Sequence, residues 1–304
     1  MANQHELAVL AMKRTGHHAV IHWLLSQVDG LCAHLNNCEF LRVERHVNPP
    51  PRVVSRTERE VLVAGFSSAF YVNGRFRGHV RHITPNEVFS SLRDRLLALQ
   101  NVEWALRQAY EVEDLAAFLF NFEDMDLATF RSIRPVVSAR EPAERRDVVV
   151  VVRDLGNFVA SRLRGGYLVN DAVLAAWETH VRGALDAPSA PGTPDDPATT
   201  WVSFPRWHVD RAYREAVAAR LGISFTDAGR DDVPPFGPPP APGSSFDGLA
   251  QHGRASTMDV NGRQAAFVDD PAWRDACLRP RLRALSAEYF GFDVLDSSPT
   301  VPSP

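Results

Sequence analysis

The run Asp147-Val-Val-Val-Val-Val-Arg-Asp154 constrains the fold of this chain more than any other stretch. Five consecutive valines lack the period-two alternation of a half-exposed strand, and β-branched side chains disfavour a helix. Such a run is stable when both its faces are covered, which places it as a central strand of a parallel sheet. Ala116-Ala-Phe-Leu-Phe-Asn-Phe-Glu-Asp124 reads the same way, and Leu7 to Met12 is a third buried strand. Helical spacing follows or separates them: Val20, Ile21, Trp23, Leu24 and Leu25; Phe89 to Leu99 within 86–114; 158–163; 170–186; and Asp210 to Leu221, with Asp210 as N-cap and Gly222 as its stop. The last helices are expected at about 255–266 and 271–290. Strands alternating with helices predict one α/β domain, a three-layer α/β/α arrangement with a mostly parallel central sheet.

Shorter segments complete the reading. Leu31 to Cys38 is a strand ending in Asn36 and Asn37, and 61–72 is a strand or buried hairpin. Residues 75–87, with Arg75, Arg77, His79, Arg81 and His82, read as a solvated basic loop. Met125 to Ile133 is a short helix or turn, Pro135 to Val137 a fragment of strand, and Thr200 to Phe204 a further strand. The domain is expected to span 1–296. A surface linker lies at about 187–199, a mobile Pro-rich loop with six prolines at 232–243, and a disordered tail at 297–304.

Composition excludes several classes. The formal net charge of the 304 residues is −4, with no basic stripe for nucleic acid. No apolar run approaches a membrane span. Three scattered cysteines make no metal pattern and, with no secretory signal evident, point to a cytoplasmic protein.

The richest chemistry lies at Lys13-Arg14-Thr15-Gly16-His17-His18, between a buried strand and a helix. A strand–loop–helix turn aims backbone N–H groups and the positive end of the helix dipole at one point. Lys13, the only lysine in the chain, and Arg14 add two cations beside it. The turn suits phosphate or sulfate; a plain βα turn with two solvated cations is the alternative. The nucleotide-triphosphate ending Gly-Lys-[Ser/Thr] is absent, and so is Gly-x-Gly-x-x-Gly.

Four stretches together resemble the sulfotransferases that use 3′-phosphoadenosine 5′-phosphosulfate, most closely a bacterial subgroup with Gly-His-His in its first loop. The loop at 13–18 looks like that family's 5′-phosphosulfate loop, with Arg14 in the place of its catalytic lysine and Thr15 in that of its serine. His17 and His18 stand where other members carry threonines. Val152-Arg-Asp-Leu-Gly-Asn-Phe-Val-Ala-Ser161 resembles the 3′-phosphate motif, on Arg153 and Ser161. Gly243-Ser-Ser-Phe-Asp-Gly248 resembles the adenine-contacting stretch, on Ser244 and Phe246. Val202 to His208 and Phe267 to Arg274 look like the C-terminal half of bacterial members. The likeness runs from about residue 7 to 292.

The resemblance implies a P-loop-like fold and sulfuryl transfer to a hydroxyl or amine of a small-molecule acceptor, without a metal. It implies cofactor contacts from Lys13, Arg14, Thr15, Gly16, His17, His18, Ala19, Arg153, Ser161, Ser244 and Phe246. Arg14 would neutralise the leaving group. Glu123, at the tip of the strand before the 3′-phosphate arginine, is the first candidate for the general base, followed by His18, then His17, His82 and His79. Trp207 and His208 fit core or cleft equally. A P-loop-like nucleotide kinase and a catalytically degenerate nucleotide binder are the competing readings.

Overall fold

In a computed structural model, the structure describes residues 4–42, 63–72, 75–83, 116–131, 143–187, 198–233 and 246–296, with only the backbone described at 39–42, 63–72 and 75–83. The expected helix at 86–114, the strand fragment at 135–137, most of the two linkers and the tail lie outside these residues.

Seven strands form one sheet: β1 (His5–Ala11), β2 (Cys32–Arg42), β3 (Val63–Val72), β4 (Arg75–Ile83), β5 (Ala117–Glu123), β6 (Arg145–Val152) and β7 (Thr199–Ser203). Their order is β4-β3-β2-β5-β1-β6-β7. The five from β2 to β7 across the sheet pair in parallel, while β3 and β4 extend it antiparallel. The mostly parallel sheet expected from the valine run is therefore present, with β6 between β1 and β7. Helices α1 (His17–Ser26), α2 (Leu155–Arg164), α3 (Asp171–Leu185), α4 (Phe204–Val209), α5 (Arg211–Arg220), α6 (Pro271–Cys277) and α7 (Pro280–Phe290) cover it.

Alternate residues of the buried strands supply two separate cores, which is why these strands carry no polar face. Leu7, Val9, Ala11, Val149 and Val151 pack with Ile21 and Leu24 of α1, Trp207 of α4 and Val217 of α5. Ala8, Leu10, Val148, Val150 and Val152 pack with Phe158 of α2, Trp177 of α3, Trp273 of α6 and Leu285 of α7. Each fully buried aliphatic side chain contributes about 1.5–3 kcal/mol. The result is the expected three layers. Among the described residues no helix is long and apolar enough to cross a membrane.

Several local expectations are corrected. Residues 75–83 are not a loop but strand β4, paired with β3 through Arg75↔Val72, His79↔Ala69 and Arg81↔Ser67. The every-second-residue recurrence of their basic side chains is the period of a strand. Helix α2 begins at Leu155, three residues early, because the Asp154 side chain accepts from the Asn157 N–H as an N-cap. In place of a helix at 255–266 there are two 3-10 turns, Ala255–Thr257 and Arg263–Phe267. Between them the Gly262 N–H donates to Asp259 Oδ1 (2.7 Å), a side-chain bond that competes with the helix ladder. The helix expected at 271–290 is two, α6 and α7, because Pro280 cannot donate to a preceding carbonyl and starts α7 instead. The cap at Asp210 and the stop at Gly222 (φ +63°) are as expected.

Two buried histidines tie stability to pH. His34 Nε2 lies 2.9 Å from Asn121 Oδ1, and His208 Nε2 lies 2.9 Å from the Met258 carbonyl oxygen. Burial holds their pKa values down to about 4 and about 3. Both sit below the unfolded value near 6.5, so the unfolded chain binds more protons there and acidification destabilises the fold. Each contributes a slope of up to about 1.4 kcal/mol per pH unit. Urea midpoints should fall steadily from pH 6.5 towards 4.5; a flat profile across that window would exclude these two rings as neutral core groups.

Candidate active site

Parallel register brings the chemistry to one end of the sheet. Ala11 is level with Glu123 of β5 on one side and with Val151 of β6 on the other. The loop leaving β1, the tip of β5 and Arg153, two residues beyond Val151, therefore share the carboxyl edge where ligands bind in open α/β sheets.

The loop is a tight turn built on Met12. Its carbonyl accepts from both the Thr15 N–H (3.2 Å) and the Thr15 hydroxyl (2.9 Å). Thr15 is buried, so its hydroxyl proton closes the turn. Lys13 N–H donates to Asp124 Oδ1 (2.9 Å), and Asp124 N–H donates to the Ala11 carbonyl (2.8 Å), stitching the loop to the end of β5. Gly16 caps α1 with φ +90° and offers no side chain to the helix's first N–H groups. A Cβ there would sit 2.4 Å from the Phe204 ring, so the backbone rests directly on that aromatic. The Ala19 N–H is already taken by the Gly16 carbonyl (3.0 Å), so of the expected loop contacts this one has no free donor.

Arg14 itself lies in the left-handed region, φ +79°. For a side chain with a Cβ that conformation costs roughly 1–2 kcal/mol and persists where surrounding contacts impose it. Arg14→Gly should therefore hold or raise the melting temperature by a few degrees while removing the cation from the site. A melting point lowered by the substitution would show that Arg14 is a structural rather than a strained residue.

Glu123 gathers three cationic or basic side chains. Its Oε1 is 3.1 Å from His17 Nε2 and 3.9 Å from His18 Nε2, and its Oε2 is 3.9 Å from Lys13 Nζ. The His17 contact is short but not aligned: Nε2 is buried without a hydrogen-bond partner. Burial pushes the Glu123 carboxyl up, but contact with His17 and the nearby His18 and Lys13 outweighs it and brings it down to about 2. His18 Nε2 is 3.0 Å from Asn36 Oδ1; the tautomer that donates there leaves Nδ1 as the accepting nitrogen. Burial, then the neighbouring His17, pushes the His18 pKa down to about 3, although 32% of its side chain meets solvent, which moderates the effect. His79 and His82, the remaining candidates for the base, lie on β4, whose side chains are not described.

On the other side of the loop is an excess of positive charge. Arg153 is 2% exposed. Its Nη1 donates to the Arg14 carbonyl (3.3 Å) and its Nη2 to the Val260 carbonyl (2.9 Å), while Nε is buried with no partner. The guanidinium lies 5.2 Å over the Phe204 ring, the same ring that supports Gly16. Burial, then Arg263, lowers its pKa to about 9. Arg162 donates to the Lys13 carbonyl (3.4 Å) and sits 3.7 Å from Asp124. Arg14 stands 5.7 Å from the Tyr167 ring, and its Nε is also buried without a partner. Among the described residues neither Arg14 nor Arg153 has a carboxylate within 4 Å. Ser161, eight residues after Arg153, is buried on α2. Phe246 lies under Arg263 (4.7 Å) and edge-on to Phe267, with Arg263 paired to Asp247. Ser244 falls outside the described residues. Gly156 lets α2 approach the 263–267 turn, since a Cβ would overlap Gln264 Oε1.

The structure thus brings together Lys13 to His18, Glu123 and Arg153. Sequence reasoning missed Phe204, Arg162, Arg263 and Tyr167. The 32 arginines hide Arg162 and Arg263; the place of Arg162 next to Ser161 could have marked the first, and no local signal marks the second. Trp207 and His208 belong to the packing beneath the loop: Trp207 stacks on Phe204 at 5.7 Å and is buried.

Fold and site define a three-layer α/β/α protein with an arginine-rich cluster at the carboxyl edge of its sheet. No protein-family profile and no curated protein sequence matches the chain. Among solved structures it is similar to the sulfotransferase domain from the Synechococcus PCC 7002 olefin synthase, at 16% identity over 96% of this chain and 97% of that one, with a TM-score of 0.38. At that level the likeness assigns no residue a role.

Proposed function

We propose that this chain is a sulfotransferase that moves a sulfuryl group from 3′-phosphoadenosine 5′-phosphosulfate to a hydroxyl or amine of a small-molecule acceptor, in the cytoplasm of a bacterium. The observation that carries the reading is Arg153: a buried guanidinium with an orphaned Nε and, among the described residues, no carboxylate within 4 Å, hydrogen-bonded to the loop that presents Arg14. A buried charge without a counter-ion is costly. Arg153, buried, and Arg14, half-buried with a buried Nε, stand at one strand edge and fit a ligand with two separate anionic ends.

When bound, the donor supplies an activated sulfuryl group whose bridging bond to phosphate breaks as the acceptor oxygen or nitrogen attacks in line. Arg14, with Lys13 beside it, neutralises charge at the loop end, together with the uncapped N–H groups of α1. Arg153 and Ser161 hold the 3′-phosphate, the former through its planar fork. Phe246 and Ser244 take the adenine side. His18 accepts the acceptor's proton, with Glu123 beside it to relay or neutralise the charge. His18 is the more open of the two imidazoles to an incoming acceptor, and Glu123 stabilises the imidazolium that results.

Thermal stability in the presence of adenosine 3′,5′-bisphosphate and of ATP tests the assignment. A ligand that binds only the folded state raises the melting point. The bisphosphate should do so and ATP should not; stabilisation by ATP alone would support a kinase and overturn the proposal.

A further inference from the structure

The cluster His17, His18 and Glu123 is more than a proton acceptor. One donor atom from each residue lies within 4.8 Å of the other two. We infer that these three side chains form a binding site for a divalent transition-metal ion of the zinc class, with a fourth position open to water or to an acceptor group.

Consecutive histidines on a helix diverge by about 100° and do not normally converge. Here they sit at the first turn of α1, with ring centroids 4.2 Å apart and planes tilted by 52°, and both reach the same carboxylate. Ligands on a tetrahedral zinc, at about 2.0–2.1 Å from the ion, stand about 3.3 Å from one another. The His17–Glu123 separation of 3.1 Å already matches, and His18 at 3.9 Å needs only a small rotation. The second observation is the orphaned His17 Nε2. It belongs to a side chain 3% exposed, and it lies 3.1 Å from Glu123 Oε1 without the alignment of a hydrogen bond. That is the relation between two ligands that share an ion. Asn36 Oδ1, 3.0 Å from the same His18 Nε2, holds that nitrogen in the metal-free protein and gives it up to the ion as the ring rotates. Two imidazoles and one carboxylate favour zinc, cobalt, nickel or copper over magnesium or calcium. Three protein ligands with an open position are the pattern of zinc sites that engage a substrate.

The site stands whether or not the chain transfers sulfuryl groups, so its test needs no turnover. Protein freed of metal with a chelator is titrated with zinc by calorimetry and with cobalt by visible absorption. The expected result is one zinc ion per chain at micromolar ion, cobalt bands of a four-coordinate site, and no heat with magnesium. His18→Ala and Glu123→Gln, one partly exposed and one isosteric, should each weaken zinc at least about 10-fold with an unchanged circular dichroism spectrum. Absence of zinc binding, or wild-type affinity in both variants, would overturn the inference.

Discussion

Arg153→Ala is expected to weaken adenosine 3′,5′-bisphosphate binding by about 100-fold or more while leaving the ligand-free fold nearly as stable as before. The two halves of that result have one cause. Truncating one partner of a buried, hydrogen-bonded charge pair costs about 2–5 kcal/mol, and Arg153 is buried at 2% exposure. In the free protein no carboxylate of the described residues lies within 4 Å of the guanidinium, and burial depresses its pKa to about 9, the Asp154 charge supporting it only in part. Removing it forfeits hydrogen bonds to the Arg14 and Val260 carbonyls but also removes a charge that burial disfavours. Ligand-induced stabilisation should therefore vanish with little change in the melting point of the free chain. Arg153→Lys should rescue only part of the affinity, since an ammonium lacks the planar fork. Calorimetry with unchanged affinity in Arg153→Ala would take Arg153 out of the site.

Glu123→Gln should lower turnover by about 100-fold or more, the scale of general acid–base catalysis, with bisphosphate affinity altered by no more than a few-fold. The substitution keeps the shape of the side chain but removes the charge that His17, His18 and Lys13 share. It also has a stability signature. Against the upward push of burial, contact with His17, His18 and Lys13 holds the folded pKa of Glu123 at about 2, below the ordinary glutamate value of 4.5. Its ionised form therefore contributes stability above the unfolded pKa, and that contribution is lost as pH falls from about 4.5 to about 2. Wild type should lose more stability than Glu123→Gln across that interval. Normal turnover in the variant would exclude Glu123 from proton transfer.

Features set by local rules were legible in the sequence. The valine run, the strand–loop–helix at Leu7 to Leu25 and the ends of α5 follow from side-chain branching, spacing and capping. What was not legible depends on pairing at a distance. Strand β4 looked like a basic loop because its partner, β3, decides its state. Glu123 was expected at a strand tip, but its contact with His17 follows from the Ala11↔Glu123 register. Phe204 looked like the end of a short strand. It proves to be the ring on which Gly16 rests and over which Arg153 lies. Pro280 did mark the break between α6 and α7, and helical spacing on either side masked it.

The central claim is that Arg153 and the loop at Arg14 are the two ends of one nucleotide site. The most direct measurement is a calorimetric comparison of adenosine 3′,5′-bisphosphate with adenosine 5′-monophosphate, which lacks the 3′-phosphate. The account predicts one site per chain, with the bisphosphate bound at least about 30-fold more tightly, the lower end of the range for a buried charge contact. Equal affinities for the two nucleotides would contradict it.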